Sequence, residues 1–122
     1  MLDVIMLRKK YRLKKEKAFS ATFRVRNCKS NEFLTLYVGK EKSDEKIPTK
    51  VGFVVSKKIH KRAVKRNKIK RRLREIYISA MKNHLADNLQ KAMSLIFIAR
   101  GKALEASYSE LEQAVVELMK KF

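Results

Sequence analysis

Between Lys57 and Arg74 the chain holds eleven Lys and Arg and no Asp or Glu. A helix drawn through such a stretch has no i,i+4 ion pairs to offset its like-charge repulsion. It needs an apolar face packed against another element to stay folded. The residues for that face are present. Ile69, Leu73, Ile76, Tyr77 and Ala80 recur at the 3.6-residue period and predict a long helix over Lys61–His84. At ~100° per residue, Arg66, Asn67, Lys70, Arg71 and Arg74 share an arc of about 140°. The apolar stripe centres roughly on the opposite side, flanked by Lys65, Lys68 and Arg72. Arginine's planar fork matches phosphate oxygens, and lysine adds an adaptable point charge. Asn67, inside the row, carries both a donor and an acceptor suited to a sugar hydroxyl, a base edge or a hydrated metal.

The remaining charge is segregated in the same way. Residues 1–29 carry a net +8, residues 57–74 a net +11, and residues 30–56 and 75–122 are each balanced. Together the two cationic blocks account for the whole +19 of the 122-residue chain. With 45% hydrophobic residues, 3 Gly and 1 Pro, the chain is a folding one rather than a disordered tail. Its length suits one domain, 1–122. A folded surface this cationic calls for an abundant polyanion, with nucleic acid ahead of an anionic membrane. A membrane role fits poorly, because the basic helix commits its apolar stripe to a core. No run approaches the ~20 apolar residues of a bilayer span. At the N-terminus the positive charge of Arg8-Lys9-Lys10 follows the apolar residues, the reverse of a secretory signal. The single Cys28 excludes an internal disulfide framework and suits a reducing compartment. A cytoplasmic location is the expectation.

Around the basic helix the pattern predicts a short helix over Leu13–Phe23, whose Phe19 and Phe23 share a face. Strands are expected over Val25–Lys29, Glu32–Val38 and Thr49–Ser56. Gly52 inside the last of these marks a bulge or a close approach. Residues 39–49 read as a solvated connection. Leu85–Ala92 offers a further helical turn or two, Leu95–Ala99 an interior strand, and Leu104–Phe122 a closing helix. Its capping box is either Ser107 with Glu110 or Ser109 with Glu112. The order α-β-β-β-α-β-α implies an α+β fold, a two-layer sandwich of helices on a small mixed sheet.

Phe19, Phe23, Phe33, Tyr37 and Phe53 cluster around the first helix and the early strands. They are either core or a stacking surface for unpaired bases, each stacked base contributing ~1–3 kcal/mol. On the second strand, Leu34 and Leu36 share one face and Phe33, Thr35 and Tyr37 the other; the leucine face is the better core. His60 and His84 lack nearby Cys or acidic partners, so neither reads as a metal ligand or a catalytic base. There is no phosphate-cradling glycine loop, no cysteine cluster and no carboxylate pair for protein-based phosphodiester hydrolysis.

Val51-Gly52-Phe53-Val54-Val55-Ser56-Lys57-Lys58, followed by Arg66-Asn67-Lys68-Ile69-Lys70-Arg71, resembles the signature of the bacterial ribonuclease P protein components. In that family an R-N-R-x-K-R helix follows a V-G-x-x-V-S-K-K strand. Arg12-Leu13-Lys14-Lys15 with Phe19 and Phe23 resembles its first helix, and Ile96-Phe97-Ile98-Ala99-Arg100 its last strand. Lys68 departs from the pattern, keeping charge but not a bidentate fork. The resemblance implies an uncommon left-handed β-α-β crossover through the basic helix. It implies a partnership with a catalytic RNA that binds Mg²⁺ and removes the 5′ leader from precursor tRNA, one protein per holoenzyme. The RNA-binding residues it implies are Arg62, Lys65, Arg66, Asn67, Lys68, Lys70, Arg71 and Arg74. A leader cleft would be lined by Lys15, Phe19, Phe23 and Tyr37, with no catalytic or metal-ligating residue in the protein. The alternatives are a non-enzymatic ribosomal or general RNA-binding protein and, against the missing carboxylates, a protein-only nuclease.

Overall fold

The computed structural model describes residues 8–122. Its main elements are helix α1 (Glu16–Val25), strands β1 (Cys28–Ser30), β2 (Leu34–Val38) and β3 (Lys50–Val54), helix α2 (Ala63–Lys82), strand β4 (Ser94–Ala99) and helix α3 (Tyr108–Lys120). Short 3₁₀ turns cover Lys9–Tyr11, Asp87–Lys91 and Gly101–Leu104. The mixed four-stranded sheet runs β1-β2-β4-β3. β1–β2 and β2–β4 are antiparallel, and β3 lies parallel to β4 at the edge. A parallel pair needs a long crossover, and α2 supplies it.

Strand alternation gives the sheet two different faces. On one, Leu34, Leu36 and Val38 of β2 stand opposite Ala99, Phe97 and Leu95 of β4, and Val51 and Phe53 of β3 continue the rows. This face packs under the stripe of α2 (Ile69, Leu73, Ile76, Tyr77, Ala80) and that of α3 (Leu111, Ala114, Val115, Leu118, Met119) to form the main core. β4 is interior, as its unbroken apolar run requires, with five of its six residues buried. Phe97 stacks on Phe53 at 5.5 Å between centroids and meets Tyr77 edge-on at 5.8 Å. Phe53 is therefore half-buried against the core, on the sheet face that α2 covers and away from Phe19 and Phe23. Phe33 also packs against this core. It precedes the first strand residue, in a bend where Asn31 Oδ1 accepts the backbone N–H groups of both Phe33 and Leu34, so strand alternation does not govern it.

Helix ends differ from the periodicity reading where local bonds intervene. Leu13 is not helical; its N–H donates to the Val51 carbonyl at 3.0 Å, tying the N-terminal segment to the free edge of β3. α2 stops at Lys82, and His84 adopts a left-handed backbone, φ 56°; contrary to the sequence reading it has an acidic partner, its Nδ1 lying 3.2 Å from the Asp87 carboxylate. α3 begins at Tyr108 because Ser107 and Glu110 form the capping box: Glu110 N–H donates to Ser107 Oγ (3.1 Å) and Ser107 N–H to Glu110 Oε1 (3.0 Å). The connection over residues 39–49 is largely exposed, and Lys42 N–H donates to the Lys91 carbonyl across it.

Candidate nucleic-acid interface

The sheet's second face carries Gly52 and Val54 of β3, Ser94, Ile96 and Ile98 of β4, Thr35 and Tyr37 of β2, and Cys28 and Ser30 of β1. Helix α1 crosses part of it. Thr22, 1% exposed, bonds to the Ala18 carbonyl and meets the Ser94 hydroxyl at 2.5 Å. Ile96 is fully buried on this side, apart from the main core. Gly52 is the close approach that the sequence marks. A β-carbon there would lie 2.7 Å from the Phe19 ring, so only glycine lets that ring come this close to the strand.

Beyond Phe19 the helix leaves the face partly open. The Phe23 ring, 36% exposed, meets Tyr37 edge-on at 4.8 Å, and Tyr37 is half-buried. Lys15, at the N-cap of α1, is exposed one turn before Phe19. The structure therefore brings Lys15, Phe19, Phe23 and Tyr37 to one groove between α1 and the sheet. Its floor continues over half-buried Thr35, Ile98 and Val54, and its far rim is the exposed Cys28 and Ser30. Sequence reading leaves out Ile98, Val54 and Ser30. Alternation from Tyr37 finds Thr35, but only the β2–β4 and β3–β4 registers show that Ile98 and Val54 join it.

The residues expected to bind RNA along α2 separate into two sets by exposure. Arg62, Lys65, Asn67, Lys68 and Arg71 are exposed, whereas Arg66, Lys70 and Arg74 are half-buried. The expected single outward row is thus tilted. Tyr77 falls in the angular sector of Arg66 and Lys70 at ~100° per residue; its burial turns that edge toward the core and raises Val64, Asn67, Lys68 and Arg71 to the crest. Val64 is 78% exposed among these cations. Among the described residues the stretch 57–74 has one ion pair with a carboxylate, Arg71 Nε to Glu75 at 3.9 Å, so most of its charge remains available to a polyanion. Lys68, the departure from the family pattern, stands on the exposed crest.

Strand β3 is the shared support of both cationic stretches. The N-terminal segment pairs with its free edge through Arg12 and Leu13. The connection to α2 leaves its C-terminal end, and α2 packs over its core face. α1 seats Phe19 on its other face. Among the described residues no three of His, Cys, Asp and Glu gather. No described helix is long and apolar enough to cross a membrane.

The family model for Ribonuclease P matches residues 7–122. The ribonuclease P protein component of Clostridium botulinum strain Langeland is 33% identical over 113 residues, covering 93% of this chain and 95% of the relative. That of a Synechococcus strain is 35% identical over 117 residues, covering 95% and 84%. Among solved structures, the Staphylococcus aureus RNase P protein superposes with a TM-score of 0.74 at 29% identity over 93% of this chain and 95% of that one. The Thermotoga maritima RNase P protein shares the fold, with a TM-score of 0.70 at 23% identity over 91% of this chain and 96% of that one. With the family model matched along nearly the whole chain and relatives of 33–35% identity covering more than nine-tenths of it, the chain belongs to the ribonuclease P protein family.

Proposed function

We propose that the chain acts by holding two kinds of RNA at once: the catalytic RNA of ribonuclease P through α2 and the connection before it, and the single-stranded 5′ leader of precursor tRNA in the α1–sheet groove. The observation that carries this reading is the geometry around β3. A cationic helix with almost no carboxylate partners and a partly open aromatic groove are built on the two faces of one strand. Asn67, Lys68 and Arg71 contact RNA directly from the crest, Arg62 and Lys65 from exposed positions beside it, and Arg66, Lys70 and Arg74 from the shoulder. Their charge releases condensed counterions from the RNA backbone. Lys15 meets leader phosphate while Phe19, Phe23 and Tyr37 offer ring surface to unpaired bases.

The protein's contribution is positioning and charge neutralisation. Mg²⁺ supplies Lewis-acid and nucleophile-generating chemistry on the RNA. Lowering phosphate repulsion lets RNA and substrate approach at a lower ion concentration. The test is reconstitution of this protein with a bacterial ribonuclease P RNA and a precursor tRNA at low Mg²⁺. The reading expects leader removal to rise on adding the protein and no cleavage by the protein alone. Unchanged cleavage would return the chain to the class of general RNA-binding proteins; cleavage without RNA would make it a nuclease in its own right.

A further inference from the structure

His60 lies within the stretch that resembles the family but between its two quoted patterns, and the sequence reading sets it aside as a ligand or base. In the structure it is half-buried in the connection between β3 and α2 and holds a defined bond. Its Nδ1 accepts the backbone N–H of Arg62 at 3.0 Å. Arg62 is the N-cap of α2 and its own side chain makes no cap bond. The imidazole therefore does from two residues upstream what an Asn or Asp side chain does in an Asx turn, and satisfies one orphan donor at the helix start. The His60 carbonyl is fixed as well. Arg66 Nη1 donates to it at 2.9 Å and to the Lys61 carbonyl at 2.7 Å. Upstream, Lys58 N–H donates to Ser56 Oγ and Ile59 N–H to the Ser56 carbonyl, both at 3.0 Å. Half-buried Ile59 anchors the segment on the main core.

We propose that His60 is a positioning residue for RNA binding: with Arg66 it locks the β3–α2 connection so that Lys57, Lys58, Lys61 and Arg62 stand as one continuation of the cationic crest. These four cations lie in non-helical backbone, so the helix does not order them. Without a local clamp each would adopt its own geometry and lose freedom on binding. The clamp also gives Arg66 a second duty, since one of its two terminal nitrogens already serves the connection. This inference deepens the function proposed above and rests on it.

The test measures the affinity of a bacterial ribonuclease P RNA for the full chain and its His60 variants across a salt series. His60→Ala removes the acceptor without changing the number of Lys and Arg. It should bind roughly fivefold more weakly, the size of effect that a lost helix cap produces. Its salt slope should be shallower by about one contact. His60→Asn restores an acceptor with Asx-turn reach and should recover both, whereas His60→Gln, too long for that turn, should not. In a chain already carrying Lys61→Ala and Arg62→Ala, the further His60→Ala change should cost markedly less. If His60→Ala proves poorly folded, the Asn and Gln variants carry the comparison. Equal affinity and slope for wild type and His60→Ala, or for Asn and Gln, would overturn the inference and leave the functional reading intact. Failure of the wild-type chain to bind the RNA would overturn both.

Discussion

At the scale of single residues, Gly52 does the most to shape the groove. Its lack of a side chain lets the Phe19 ring touch the strand, and so fixes how far α1 stands from the sheet. Gly52→Ala should push that ring outward at a cost of about 1–3 kcal/mol, the usual range for an overpacked contact. Thermal unfolding should show a modest loss. Affinity for precursor tRNA in the holoenzyme should fall more than affinity for mature tRNA; equal losses would detach Phe19 from leader binding. The close approach is legible in the sequence, because glycine in a strand of Val and Phe has few other reasons. Its partner is not, since nothing local says which of the nearby rings arrives there. Phe53 shows the limit of the same logic: by composition it belongs with Phe19 and Phe23, but strand register puts it against Phe97 and Tyr77.

Ser107 and Glu110 offer a second test at this scale. The Ser107 backbone N–H and then its hydroxyl hold the Glu110 carboxyl below its ordinary value. A depressed carboxylate contributes stability above its unfolded value, and that contribution is lost as pH falls through the lowered folded value. The acid limb of the pH–stability curve, below the ordinary carboxylate range, should therefore flatten in Glu110→Gln. A curve that superposes on wild type in that window would contradict the assignment. Ser107→Ala should cost about 1 kcal/mol as a lost N-cap, read by denaturant unfolding. Both candidate capping pairs are visible in the sequence; the structure forms the one that starts at Ser107.

At the scale of elements, α2 divides its work by angle. Its buried stripe was legible from period alone, and so was its cationic character. The tilt was not, because it depends on the large Tyr77 ring turning Arg66 and Lys70 toward the shoulder. Replacing exposed Lys65, Lys68 and Arg71 one at a time with Gln should lower the magnitude of the RNA-binding salt slope by roughly one each, with little change in melting temperature. A full slope after all three changes would take the crest out of the interface. Leu73→Ala, by contrast, should destabilise the fold by about 2–5 kcal/mol through the cavity it leaves. Periodicity alone extends the first helix back to Leu13, because Leu13, Phe19 and Phe23 mimic a helical face. Leu13 is instead held by the β3 edge, a long-range bond without a local signature.

At the scale of the whole molecule, the sequence shows that the charge is segregated into two blocks, and the structure shows both joined to β3. The described part of the N-terminal block meets its free edge at Arg12 and Leu13 and continues into α1; the second block leaves its end and returns as α2. Balanced segments supply the remaining strands and α3. On the function proposed above, a chain of +19 arranged in this way grips structured RNA while leaving a groove for an unpaired strand. The central claim is that this groove recognises the part of the substrate that maturation removes. Its most direct test is the ratio of affinities for precursor and mature tRNA, measured for the catalytic RNA alone and for the RNA with this protein. The account predicts that the protein raises the ratio in favour of the precursor and that Phe23→Ala with Tyr37→Ala lowers it again. A ratio unchanged by the protein would contradict it.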